Sequence, residues 1–156
     1  MRLSLLLKKT AELEEAVARL YGWYAQLFEH VPGAGDFFTS MEREELGHRN
    51  KVEFQKRIVD QSPGEFADSK EDATDIQAAI AMIDQHIQEG VFEIADALEF
   101  AVRLETDAAE IHYRTAMTQS NPDIARLVEA LTKDDKGHSD KLRSFAMRFS
   151  GKHSNN

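Results

Sequence analysis

An all-α fold, two antiparallel helical hairpins joined by a crossover connection that carries a short helix, is predicted by three observations. Only 3 Pro and 8 Gly occur among 156 residues, so few positions can break a long helix. Apolar residues recur at steps of three and four over four long stretches, which marks one buried face per helix. The breaks inside the first and the last pair of stretches are short, whereas the segment 61–91 between the pairs is long enough to cross a bundle.

The first helix is expected over 4–30, with Leu7, Ala11, Val17, Ala18, Leu20, Tyr24 and Phe28 at helical spacing. The run His30-Val-Pro-Gly-Ala-Gly35 ends it. The second helix is expected over 36–60, from Asp36 through Phe38, Met41, Val52 and Val59. A turn-rich linker, Gln61 to Lys70, follows. A short amphipathic helix over 74–88 carries Ile76, Ile80, Ile83 and Ile87 on one side and stops at Gly90; it is expected to cover the bundle or to help form a dimer face. The next long helix is expected over 92–119, stopping at Ser120-Asn-Pro122. The last begins near Pro122, a residue suited to a first helical turn, and continues to about Phe149. The bundle is therefore expected to be one domain over 1–150, with a disordered tail over 151–156.

Composition excludes several functions. With no Cys, the chain cannot form disulfides, iron–sulfur clusters, Cys-ligated zinc sites or a rubredoxin-type iron centre. A net charge of −9 disfavours a nucleic-acid partner, because phosphate binding relies on Lys and Arg. The apolar run near the N-terminus is too short for a signal-peptide core, and no stretch approaches a membrane span. A soluble, cytoplasmic protein with no membrane partner is expected.

The 28 Asp and Glu are informative where they interrupt the apolar faces. The first helix reads Leu7, Ala11, Glu14, Val17, Tyr21, Tyr24, Phe28, and the second reads Phe38, Met41, Glu45, His48, Val52, Val59. The third long helix reads Ile94, Leu98, Ala101, Glu105, Ala108, His112. The fourth reads Ile124, Val128, Leu131, Asp135, His138, Leu142, Phe145, Phe149. Each face is apolar at its ends and ionisable near its middle. An unpaired buried carboxylate is costly and tends to stay protonated. Four converging on one centre would repel one another unless cations lay among them, and two divalent ions balance four carboxylates while neutral imidazoles complete the donor set.

Spacing supports the same reading. Glu45-Leu-Gly-His48 and Asp135-Lys-Gly-His138 each set a carboxylate and an imidazole one turn apart, with Gly before each His. Glu45 follows Glu14 by 31 positions and Asp135 follows Glu105 by 30, a weak internal duplication. Each half supplies one lone carboxylate and one carboxylate-x-x-His pair, the donor arrangement of di-iron and di-manganese carboxylate bundles. Asp134 competes with Asp135, but only Asp135 lies on the buried face. Tyr21 and His112 each fall seven residues after the lone carboxylate of their half. Each is read as hydrogen-bonding a ligand carboxylate or as packing with a satisfied polar tip, and His112 also as an extra ligand. Glu42, Glu44 and Glu15 read as surface charge. Trp23 and Tyr113 read as packing, and His30, His86 and His153 receive no role.

The pattern from Glu14 to His138 resembles the ferritin-like superfamily, in particular rubrerythrin-type di-iron proteins. Glu14-Glu-Ala-Val-Ala-Arg-Leu-Tyr21 and Leu131-Thr-Lys-Asp-Asp-Lys-Gly-His138 are especially similar to that family's first and last helices. The resemblance implies a ferritin-like bundle in which Glu14 and Glu105 are terminal ligands, Glu45 and Asp135 bridge, and His48 and His138 each serve one metal. It implies two iron ions, although manganese or a mixed Fe/Mn pair suits the same oxygen and imidazole donors. It implies reduction of hydrogen peroxide or dioxygen, with Glu45, Asp135 and Tyr21 closest to the chemistry. Three departures stand out. The rubredoxin domain is missing, so an external electron-donor protein is expected. Asp135 stands where the family usually has Glu. Ala108 stands where rubrerythrins tend to carry a further Glu, so the six-ligand set is closer to the bacterioferritin pattern. Ferroxidase or iron storage in a shell, and a non-enzymatic scaffold with a degraded site, are the competing expectations; a homodimer is the expected assembly.

Overall fold

The structure is a computed structural model and describes residues 1–150; the tail expected over 151–156 lies outside them. Among the described residues there are five α-helices, one short 3-10 turn and no strand. The helices are α1 (Leu3–Leu27), α2 (Ala34–Gln61), α3 (Thr74–Glu89), α4 (Ile94–Thr118) and α5 (Pro122–Ser150). No helix is long and apolar enough to cross a membrane.

Local chemistry sets the boundaries. α1 stops at Leu27, three residues before the expected end; beyond it the chain turns tightly, the Val31 N–H donating to the Phe28 carbonyl at 2.9 Å. Gly33 then takes a positive φ of 82°, open to glycine without a Cβ clash, and starts α2. Gly90 ends α3 at φ 80°, its N–H donating to the His86 carbonyl at 3.0 Å. α4 starts two residues later than expected, at Ile94, leaving Phe92 in the connection and 94% exposed. At α5 the Asn121 side chain accepts from the N–H of Asp123 (2.9 Å) and of Ile124 (3.3 Å), with Pro122 in the first turn.

α1 packs along α2, and α4 along α5. The start of α1 meets the end of α2, where Ser4 donates to Asp60. α3 lies against α1 and α4, with Ile76 and Ile83 buried and Ile80 and Ile87 packed on the core. Arg19 of α1 and Arg114 of α4 hold its flanks through Asp84 (2.5 Å) and Asp75 (2.8 Å). It therefore covers the bundle, one of the two roles expected of it.

The buried residues form two apolar clusters. One holds Leu20, Tyr21, Tyr24, Phe28, Phe38, Met41, Leu98, Ala101, Leu142 and Phe145 among others. The second holds Leu3, Leu7, Ala11, Val52, Val59, Ala116, Ile124, Val128 and Leu131. On the face that carries the ionisable residues, α1 and α5 pass from the second cluster to the first, and α2 and α4 from the first to the second. On that face the ionisable residues fall between the two. Fully burying one such Leu or Phe stabilises the fold by about 1.5–3 kcal/mol, and the two clusters flank the polar layer on either side.

Candidate metal centre

The polar layer contains all six residues expected from the sequence to be ligands. Glu14, Glu45, Glu105 and Asp135 are 1–2% exposed, His138 is 2% and His48 is 5% exposed. α1 and α4 each contribute one carboxylate. α2 and α5 each contribute a carboxylate and, one turn on, an imidazole on the same face. The donor atoms form two groups, Glu14, Glu45, His48 and Asp135, and Glu45, Glu105, Asp135 and His138, each within 4.8 Å of one another. Glu45 and Asp135 belong to both, so the shorter side chain of Asp135 still reaches the shared position.

Distances inside the layer are short. His48 Nδ1 lies 3.2 Å from Glu14 Oε2 and 3.3 Å from Glu45 Oε2. His138 Nδ1 lies 2.8 Å from Glu45 Oε1 and 3.5 Å from Glu105 Oε1. Yet His138 Nδ1, Glu45 Oε1 and Asp135 Oδ2 are buried without an aligned hydrogen bond. Three buried polar atoms without partners are costly as they stand. Donor atoms that approach closely without pointing at one another point at a common space. Ligands at right angles on an ion with bonds of about 2.1 Å sit about 3 Å apart, the spacing found here. The residues present therefore fit two small divalent ions sharing Glu45 and Asp135.

Electrostatics give the same picture. Burial pushes the Glu45 carboxyl up, and the charges of Glu105 and Glu14 add to it, to about 8. Asp135 is raised well above its ordinary value by burial and then by Glu14, Glu105 and Glu45. Burial would also raise Glu14, but hydrogen bonds from His112 and His48 outweigh it and hold the carboxyl below the usual range. Burial opposes charge on the two imidazoles, and nearby carboxylates overcome it. Glu14 and Glu45 lift His48 to about 10, and Glu105 and Glu45 lift His138 to about 11. Protons take up the charge that cations would otherwise balance.

Tyr21 and His112 both touch carboxylates of the donor groups. The Tyr21 hydroxyl donates to Glu105 Oε1 at 2.5 Å, and burial followed by the charge of Glu105 keeps the phenol neutral. His112, 1% exposed, has Nε2 2.8 Å from Glu14 Oε1 and 3.5 Å from Asp135 Oδ2. Both polar tips are therefore satisfied by buried carboxylates of the candidate set. His112 belongs to neither donor group.

Two acidic residues outside the expected set complete the layer. Asp134, weighed above as a rival to Asp135, points the other way: its Oδ2 lies 3.1 Å from His48 Nε2. Glu44, read as surface charge, meets His138 Nε2 with one oxygen and Lys141 Nζ at 2.9 Å with the other. The residues just before the two shared carboxylates, Glu44 and Asp134, thus each hold the imidazole of the opposite helix from outside. An acceptor on the far nitrogen fixes the ring so that Nδ1 faces the donor groups. The only available sequence signal was a duplicated acidic pair, Glu44-Glu45 and Asp134-Asp135, each three residues before a His. Gly47 and Gly137 have no neighbours where a Cβ would sit, and with Lys51 and Lys133 they line a groove of about 590 Å³ over these imidazole edges.

The Rubrerythrin family model matches residues 6–146, a stretch that includes every residue of the layer. No curated protein and no solved structure matches the chain. A match over nearly the whole length shows that this protein belongs to the rubrerythrin family of ferritin-like di-iron proteins.

Proposed function

We propose that the protein is a di-iron carboxylate oxidoreductase that reduces hydrogen peroxide or dioxygen, in an antiparallel ferritin-like four-helix bundle crossed by α3. The observation that carries this reading is the pair of buried donor groups sharing Glu45 and Asp135. The order of the two apolar clusters reverses between α1 and α2 and again between α4 and α5, which supports the bundle topology.

Glu14 and His48 would hold one ion, Glu105 and His138 the other, and Glu45 with Asp135 would span both. Two iron ions held there would supply two one-electron equivalents to an oxidant, the chemistry that avoids release of a radical. The protein's part is to bind, orient and exclude water. Glu44 and Asp134 fix the imidazole rings from outside. Tyr21 holds the Glu105 carboxylate at one oxygen and keeps a phenolic proton there. His112 holds Glu14 at one oxygen and stands near Asp135, fixing the orientation of the Glu14 carboxylate. The apolar clusters on both sides keep these contacts in a low dielectric. Electrons for repeated turnover would come from a separate donor protein.

Protein loaded with iron(II) is expected to oxidise rapidly on adding peroxide, followed by absorbance in stopped flow, and Glu45→Ala is expected to abolish that phase. An unchanged rate in the variant would sink the assignment. Fast oxidation by dioxygen with little response to peroxide would move it to a ferroxidase.

A further inference from the structure

A second group of chemistry-bearing side chains lies where α3 meets α1 and α4, outside the donor groups. Tyr24 is fully buried, and its hydroxyl meets Nε2 of His86 at 2.6 Å. His86 is half-buried and stacks face to face on Phe100, with ring centroids 3.7 Å apart and planes within 3°. Trp23 touches both rings, at 5.4 Å from Tyr24 and 5.9 Å from His86. In the other direction Tyr24 packs on Phe38 at 5.1 Å, and Phe38 stacks on Tyr21 at 6.3 Å. Tyr21 in turn donates to Glu105. Touching aromatic rings therefore run from a candidate ligand to an imidazole that reaches the surface.

The proton on the Tyr24–His86 contact can be placed. Burial disfavours charge on His86 and holds it below its ordinary value, so the ring is neutral near pH 7. Burial also holds the Tyr24 phenol protonated. A buried O–H must donate, and Nε2 is the acceptor in reach, so Tyr24 donates to Nε2 and Nδ1 carries the imidazole proton.

We propose that Tyr24 and His86 form a redox-active pair that carries single oxidising equivalents between the buried carboxylate–histidine layer and the surface of α3. A one-electron oxidant takes an electron from the Tyr24 ring. The O–H bond breaks and its proton moves to His86 Nε2, leaving a neutral phenoxyl radical and an imidazolium. A one-electron donor at the surface then returns the electron, and the proton goes back to the Tyr24 oxygen. Without the acceptor, oxidation would strand a positive charge in an apolar cluster, at large cost. In the cell the oxidant would arise at the layer, so the physiological role rests on the oxidoreductase reading; the redox activity of the pair does not.

The test uses the full chain without metal, in a Tyr113→Phe background that removes the exposed tyrosine. Photogenerated ruthenium(III) tris-bipyridine serves as the oxidant, and radicals are followed by transient absorption and by electron paramagnetic resonance with ring-deuterated tyrosine. A neutral tyrosyl radical assigned to Tyr24 is expected, forming more slowly in D2O than in H2O. Tyr24→Phe abolishes it. His86→Phe keeps a ring on Phe100 but removes the proton acceptor, and is expected to lower the yield at least about tenfold. A yield unchanged in His86→Phe, a radical confined to Trp23, or equal rates in H2O and D2O would each overturn the proposal. No metal is present, so failure of the di-iron reading leaves the outcome untouched.

Discussion

Two equivalents of iron(II), added without oxygen at pH 7, are expected to raise the melting temperature by about 10 °C and to release about four protons per chain. The protons come from the four groups that burial and neighbouring charge keep loaded. Glu45, at about 8, and Asp135, raised well above its ordinary value, hold protons as acids. His48, at about 10, and His138, at about 11, hold them as imidazolium ions. Four protons carry the charge of two divalent ions, so the exchange leaves the net charge of the layer unchanged. It also gives Glu45 Oε1, Asp135 Oδ2 and His138 Nδ1 the partner they lack. Ligand at about a thousand times its dissociation constant stabilises the folded state by about 4 kcal/mol. Each kcal/mol moves the midpoint of a chain this size by roughly 2–4 °C. Calorimetry in two buffers of different ionisation enthalpy counts the protons, and an unmoved midpoint would contradict the charge argument.

Without metal, stability is expected to fall as pH rises from about 5 to 9; with metal it is expected to rise over the same interval. Glu45 is raised from 4.5 to about 8, so its contribution is complete below the unfolded value and is lost as pH climbs through the folded one. His48 and His138, raised from 6.5 to about 10 and about 11, act in the same direction, their contributions complete below 6.5 and lost above it. Glu14 is lowered and acts oppositely, its contribution present above 4.5 and lost only in stronger acid. The metal-free optimum therefore falls at mildly acidic pH, and the decline from there to pH 9 is on the order of a few kcal/mol. Metal competes with the same protons, so its contribution grows with pH. Urea unfolding at pH 5, 7 and 9, with chelator and with metal, separates the two profiles. Parallel profiles would mean that protons and metal do not share the layer.

How much of this was legible in the sequence follows from the range of each interaction. Glu14, Glu45, Glu105, Asp135, His48 and His138 stood out because periodicity along a single helix places them on a face that is otherwise apolar. The positions of Tyr21 and His112 were legible too, though not what their polar atoms would meet. Glu44 and Asp134 were missed as partners of the imidazoles, because each acts across to another helix and lies one residue off the buried face. His86 was missed for the same reason. Nothing local ties it to Tyr24, 62 positions earlier, or gives it Phe100 to stack on. The α1 boundary depended on a tight turn after Leu27 that periodicity does not mark, and the start of α4 on an exposed Phe92 that apolarity alone assigned to a helix.

The central claim is that two metal ions share Glu45 and Asp135. A crystal grown with iron(II), measured on both sides of the iron absorption edge, tests it most directly. Two anomalous peaks are predicted in the polar layer, one beside Glu14 and His48 and one beside Glu105 and His138, with both shared carboxylates between them. A single peak, or peaks only at surface carboxylates, would contradict the account.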